Sequence, residues 1–195
     1  TSLYNPLHHR KLKSFFGVIE NAPWDTFALL PENVGRVVVP SIEFNLVFIL
    51  VHMFHHWAFE GCGMKQLMDY FWLLEKGKVS EDVKKKVQKQ LKDMGLWHFL
   101  SAVMYVFELL GMTKEKMLCA PDRRLGQKLW ADILAVGLVT ADDLAVGRFG
   151  NEGKGVKFMR RLKRMWRLLP LAPDELPWVL AKSVVTWIRW NEIKK

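Results

Sequence analysis

The sequence predicts a mainly α protein, six to eight helices packed as an irregular bundle with at most one or two short strands. From Ser41 onward, apolar residues recur at helical spacing through almost every segment. Helix starts and stops punctuate those segments, among them Ser41, Gly77, Ser80, Gly95, Gly111 and Pro170. Only Gly35 to Val39, GRVVV, reads as a strand, bounded by glycine and proline.

Taken in order, a short basic helix is expected from Leu7 to Phe16, introduced by Asn5-Pro6, because proline suits the first turn. Pro23, Pro31 and Pro40 then interrupt regular structure. Ser41 is a fitting N-cap for a helix reaching about Phe59, with Glu43 facing the positive end of its dipole. That helix is apolar nearly all round, which predicts a central, buried element. Gly61 and Gly63 end it. A second helix from about Met64 to Glu75 should turn Met64, Leu67, Met68, Phe71 and Leu74 inward.

Ser80 caps a surface helix whose stripe is Val83, Val87, Leu91 and Met94, stopped by Gly95. Trp97 to Leu110 predicts a more buried helix, and Pro121 to Val136 another with Leu125, Leu129 and Ile133 on one face. The four glycines from Gly147 to Gly155 predict a flexible loop. A basic helix, Val156 to Leu169, and a last helix, Pro177 to about Trp190, complete the chain. The organisation is one compact unit: a connecting segment over 1–40, a helical core over 41–146, a glycine-rich loop over 147–155, and a basic, tryptophan-rich pair of helices over 156–195. The opening TSLYNP has no methionine and reads as the interior of a longer protein.

With 195 residues, 50% of them apolar, the chain can bury a sizeable core. Nine tryptophans against three tyrosines imply large buried rings or amphipathic contact surfaces. Cys62 and Cys119 form no C-x-x-C pair, so a disulfide framework or thiolate zinc site is not expected and a reducing, cytoplasmic setting is. The longest apolar run, Leu46 to Phe59, is broken by three histidines and falls short of the roughly 20 residues that span a bilayer. No charged-then-apolar leader opens the chain. The net charge of +9 is local: Asn151 to Lys195 holds eleven basic and four acidic residues, a net of +7.

The stretch His52 to Trp72, HMFHHWAFEGCGMKQLMDYFW, carries the chemistry. Residues four apart share a helix face, so Asn45, His52, His56 and Glu60 fall along one polar seam, with His55 at its edge. Imidazoles on a buried helix need partners, because unpaired buried polar groups cost free energy. Three readings follow. His52 and His56 have the i, i+4 spacing of zinc ligands, with Glu60 or Asp69 as a third, though no general-base glutamate stands between them. A hydrogen-bonded core seam would pair a histidine with Asp69 and leave Lys65 solvated. A ligand site would use Lys65 as the positive charge and Asp69 to orient it. The pattern by itself leans slightly to the core seam.

The segments YNPLHHRKLKSFF (Tyr4 to Phe16) and FNLVFILVHMFHHWAFEGCGMKQLMDYFWLL (Phe44 to Leu74) resemble a bacterial family of uncharacterised nucleotidyltransferases with a DNA-polymerase-β-like catalytic fold. In that family a Gly-Ser motif and acidic residues on a small mixed sheet precede a helical region. His52, His56, Gly63, Lys65 and Asp69 match the pattern of that helical region, with Lys65 standing where arginine is more usual. Nucleotidyl transfer needs carboxylates that hold divalent metal and a Gly-Ser turn that cradles the triphosphate. These 195 residues contain no Gly-Ser pair and no Asp-x-Asp. The resemblance therefore implies a helical support region, inactive alone. Its expected partners are an N-terminal catalytic sheet of the same protein and a small-molecule or protein acceptor. Mg²⁺ and NTP are expected only together with that sheet. His52, His56, Lys65 and Asp69 are the implied nucleotide-facing residues. A face uncovered by the sheet's absence would favour a homodimer.

The basic helix, KGVKFMRRLKRMWRLL, gathers Phe158, Leu162, Met165, Trp166 and Leu169 on one side and spreads Lys157, Arg160, Arg161, Arg164 and Arg167 over the rest. An ordinary packed amphipathic helix fits, and so does a membrane-surface helix. Nucleic acid is not expected, since no RNA-binding signature accompanies the charge. The alternative to an enzyme region is thus a non-enzymatic module binding a partner or anionic membrane through these helices. GRFGNEGKG is no phosphate loop, lacking the Gly-Lys-Ser/Thr ending and a preceding strand. Neither cysteine has a sequence partner that would mark a nucleophile.

Overall fold

The computed structural model describes residues 2–20, 27–59, 63–137 and 154–192. Among them are eight α-helices: α1 (Pro6–Glu20), α2 (Ile42–Phe59), α3 (Met64–Lys76), α4 (Glu81–Asp93), α5 (Trp97–Leu109), α6 (Arg123–Gly137), α7 (Lys154–Leu168) and α8 (Leu176–Glu192). One antiparallel hairpin pairs β1 (Phe27–Leu29) with β2 (Arg36–Val38) in the register Phe27↔Val38, Ala28↔Val37 and Leu29↔Arg36. The strand expected at Gly35 to Val39 is present, and it has a partner that the sequence did not announce.

The helices begin where side chains can satisfy their free amides. Ser41 Oγ accepts from Phe44 N at 3.2 Å, Ser80 Oγ from Val83 N at 3.3 Å, and Asp122 Oδ1 from Leu125 N at 2.9 Å. Asn5 Oδ1 does the same for Leu7 N, so α1 starts at its proline as the sequence implies. Gly95 closes α4 with φ +69°, and a Cβ there would strike the His8 ring.

One continuous core runs through the helical body. α2 contributes Leu46, Val47, Leu50, Val51, Phe54 and Trp57, and Phe99 of α5 meets the last two edge-on and tilted, at 5.3 and 5.0 Å. Tyr70 and Phe71 of α3 pack on Phe107. α5 and α6 form the most extensive helix pair, and Gly126 makes their approach possible: a Cβ there would overlap the Tyr105 ring.

Two expectations change. α2 is not covered all round: its Phe44, Asn45, Phe48, His52, His55 and His56 are only partly buried, while the opposite side is fully buried. Met64, expected inside, is exposed, because it opens α3 before that helix reaches the core at Leu67. No described helix is long and apolar enough to cross a membrane. Of the glycine-rich loop expected over 147–155, residues 147–153 lie outside the described residues, and Lys154 and Gly155 already belong to α7.

Candidate functional site

The partly covered side of α2 is a column of rings set by i, i+4 spacing. Phe44 stacks on Phe48 at 5.4 Å, Phe48 on His52 at 5.8 Å, and His52 meets His56 edge-on at 4.5 Å. Phe16 of α1 leans on both Phe44 and Phe48. The polar seam read from the sequence is thus half aromatic, and its first turns are held by α1. Asn45 spends its amide on Pro40 O at 3.2 Å, fixing the entry of the chain into α2.

His55 is drawn off the column toward the N-terminal segment. Its Nδ1 lies 2.9 Å from Tyr4 Oη and 3.3 Å from Ser2 O, and its ring stacks on Tyr4 at 5.5 Å. Lys182 Nζ sits 5.3 Å above the Tyr4 ring. His52 is held toward its neutral form, first by burial and next by the neighbouring His56. It can therefore donate or accept a hydrogen bond near neutral pH without carrying charge.

Lys65 and Asp69 both lie on the exposed face of α3, one turn apart, with Trp72 and Lys76 continuing that row. The structure joins His52 to His56 directly and sets Lys65 and Asp69 on the next helix, across the turn at Gly63, whose N–H donates to Gln66 Oε1. Among the described residues no group of three His, Cys, Asp or Glu is placed to hold a metal ion. Glu60, the third ligand of the metal reading, lies outside the described residues, as does Cys62. The described side chains thus do not fit a Mg²⁺ site.

Arg164, read from the sequence as basic surface, turns inward. Its Nε donates to Asp132 Oδ1 at 2.9 Å and its Nη2 to Asp132 Oδ2 at 2.6 Å and Trp57 O at 2.8 Å. Trp57 Nε1 also donates to Asp132 Oδ2, at 3.0 Å. Asp132 is 1% exposed and the Arg164 side chain 17%, so a buried carboxylate is paired with a mostly covered guanidinium. Arg167 stays outside, 63% exposed and 3.4 Å from the same carboxylate. The side chains of Lys157, Arg160 and Arg161 lie outside the described residues. The signal for Asp132 was available: it falls three residues after Leu129, on the apolar stripe of α6.

A second buried acid, Glu175, precedes α8. It accepts from Tyr4 N at 2.7 Å and Asn5 N at 3.2 Å, and lies 2.6 Å from His8 Nδ1, tying the start of α1 to the start of α8. Burial pushes its carboxyl upward, and the bonds from Tyr4, His8 and Asn5 pull the other way. No sequence spacing pointed to this pair, which joins residues 167 apart.

These features define a helical protein with a ring-lined, half-covered face on α2, its first turns held by Phe16 of α1. The chain belongs to a family described as uncharacterised nucleotidyltransferase, whose model matches residues 7–111, more than half of the chain. The match contains the whole ring column together with Lys65 and Asp69. No curated protein and no solved structure matches this chain.

Proposed function

We propose that this chain is the helical, substrate-facing region of a nucleotidyltransferase, which supports transfer of a nucleoside monophosphate from an NTP to an acceptor. The observation that carries this reading is the half-covered column of Phe44, Phe48, His52 and His56, inside the segment that matches the family. A central helix that left rings and imidazoles half covered for no reason would forgo apolar burial worth about 25 cal/mol per Å². A surface that receives a ligand or another element accounts for it.

The hairpin supports the same reading. Phe27, Leu29, Val37 and Val38 are 44–65% exposed, and a two-stranded ribbon is marginal alone in water. Both the ribbon and the column would be covered by a sheet supplied from outside these 195 residues, and the Mg²⁺-holding carboxylates belong on that sheet. Lys65 would meet phosphate oxygens as a point charge, Asp69 would orient Lys65, and neutral His52 with His56 would hydrogen-bond the nucleotide or the acceptor hydroxyl.

Titration calorimetry with Mg·ATP tests the assignment, on this chain joined to the catalytic sheet the proposal requires and on the Lys65→Ala and Asp69→Ala variants of that protein. A charge-assisted contact is worth about 1.5–3 kcal/mol, so Lys65→Ala should weaken binding by about tenfold or more. Binding that both substitutions leave unchanged would remove these residues from the nucleotide site.

A further inference from the structure

α7 contains seven cations and no acidic residue in fifteen positions, KGVKFMRRLKRMWRL. An amphipathic helix normally turns its apolar side inward, and Met165 and Leu168 do so, at 1% and 2% exposure. Yet α7 carries a second apolar row. Met159 is 52% exposed and Trp166, two turns on, is 73% exposed. Trp166 and Leu162 form a groove with Leu180 of α8, of about 400 Å³, and Lys163 stands at its edge. Val184, one turn beyond Leu180 on the same row, is also exposed.

We propose that this face of α7 and α8 docks on an anionic phospholipid bilayer. The face offers a wide, open apolar depression on which acyl chains can lie, and an exposed indole there is the side chain that prefers the boundary between headgroup and hydrocarbon. Lys163 and Arg167 flank the row on the side where phosphates would lie, and the surrounding segment, Asn151 to Lys195, has a net charge of +7. Charge selects the occupant. A second copy of the chain would bring the same positive field against this one. A nucleic acid would satisfy the cations and leave the groove empty. This surface is separate from the ring column of α2, so the two are tested independently.

The test is co-sedimentation of the chain with vesicles of pure phosphatidylcholine and of phosphatidylcholine mixed with phosphatidylglycerol. The chain should bind the mixed vesicles and not the neutral ones. Trp166→Ser and Lys163→Glu should each lower the bound fraction about tenfold or more while circular dichroism stays that of the parent. Absence of binding to the mixed vesicles overturns the proposal, and so does binding that Trp166→Ser leaves intact. Displacement from vesicles by an RNA oligonucleotide, with Trp166→Ser binding that RNA as well as the parent does, would assign the face to nucleic acid. A dimer in light scattering that Trp166→Ser dissociates would assign it to a second copy.

Discussion

Replacing Asp132 by alanine should be among the most damaging single changes in this protein. The carboxylate is 1% exposed and holds two donors of Arg164 and the indole N–H of Trp57, itself 1% exposed. Its loss strands a guanidinium whose side chain is only 17% exposed, and breaking a buried pair in this way costs about 3–5 kcal/mol. With a urea m-value of about 2.5 kcal/mol/M, the unfolding midpoint followed by tryptophan fluorescence should fall by roughly 1.5 M. Arg164→Met should lose a similar amount, because it leaves the buried Asp132 carboxylate with only the Trp57 indole N–H and the longer Arg167 contact. Arg167→Met should cost less than about 1 kcal/mol, since that side chain is exposed and its 3.4 Å contact is screened. The double variant Asp132→Leu with Arg164→Met should be more stable than Asp132→Ala, because no buried charge is left. Equal losses for Arg164→Met and Arg167→Met would refute the argument that burial sets the cost.

Tyr70 is fully buried and its hydroxyl has no hydrogen-bond partner among the described residues, so Tyr70→Phe should be neutral or stabilising by up to about 1 kcal/mol; a large loss in urea unfolding would reveal a bonded hydroxyl. Burial pushes the Cys119 thiol up to about 12 from 9.0, so its thiolate fraction falls about a thousandfold and iodoacetamide should label it far more slowly in the folded chain than in urea, as read by peptide mapping. Glu175 is raised from its ordinary 4.5, so the folded state binds that proton more tightly than the unfolded state does. Its contribution is complete below 4.5 and is lost as pH rises through the folded value. The stability of the parent relative to Glu175→Gln should therefore decline as pH is raised from 4.5, and a rising difference in urea midpoints would contradict this.

The helical segments were legible because apolar spacing, serine caps and glycine stops agree with one another along the chain. Ser80 and Gly95 bracket α4 as their chemistry requires, and the stripe Val83, Val87, Leu91 and Met94 turns inward. β1 was not legible, since three residues, FAL, show no alternation that could be counted. The open side of α2 was hidden for a different reason: hydropathy reports that a residue can be buried, and tertiary packing decides whether it is. The pairing of His52 with His56 followed from spacing alone. The partners of His55 and Arg164 come from elements 51 and 32 residues away, and no local pattern chooses Arg164 over Arg160 or Arg161 for Asp132.

In the proposed function, His52 and His56 of α2 and Lys65 and Asp69 of α3 meet the nucleotide. The most direct measurement is the imidazole NMR spectrum of the chain joined to its proposed catalytic sheet and titrated with Mg·ATP, alongside the indole signal of Trp166. His52 and His56 should shift with nucleotide, Lys65→Ala should suppress the shift, and Trp166 should stay in place. Nucleotide that moves Trp166 and leaves both histidines unchanged would contradict this function.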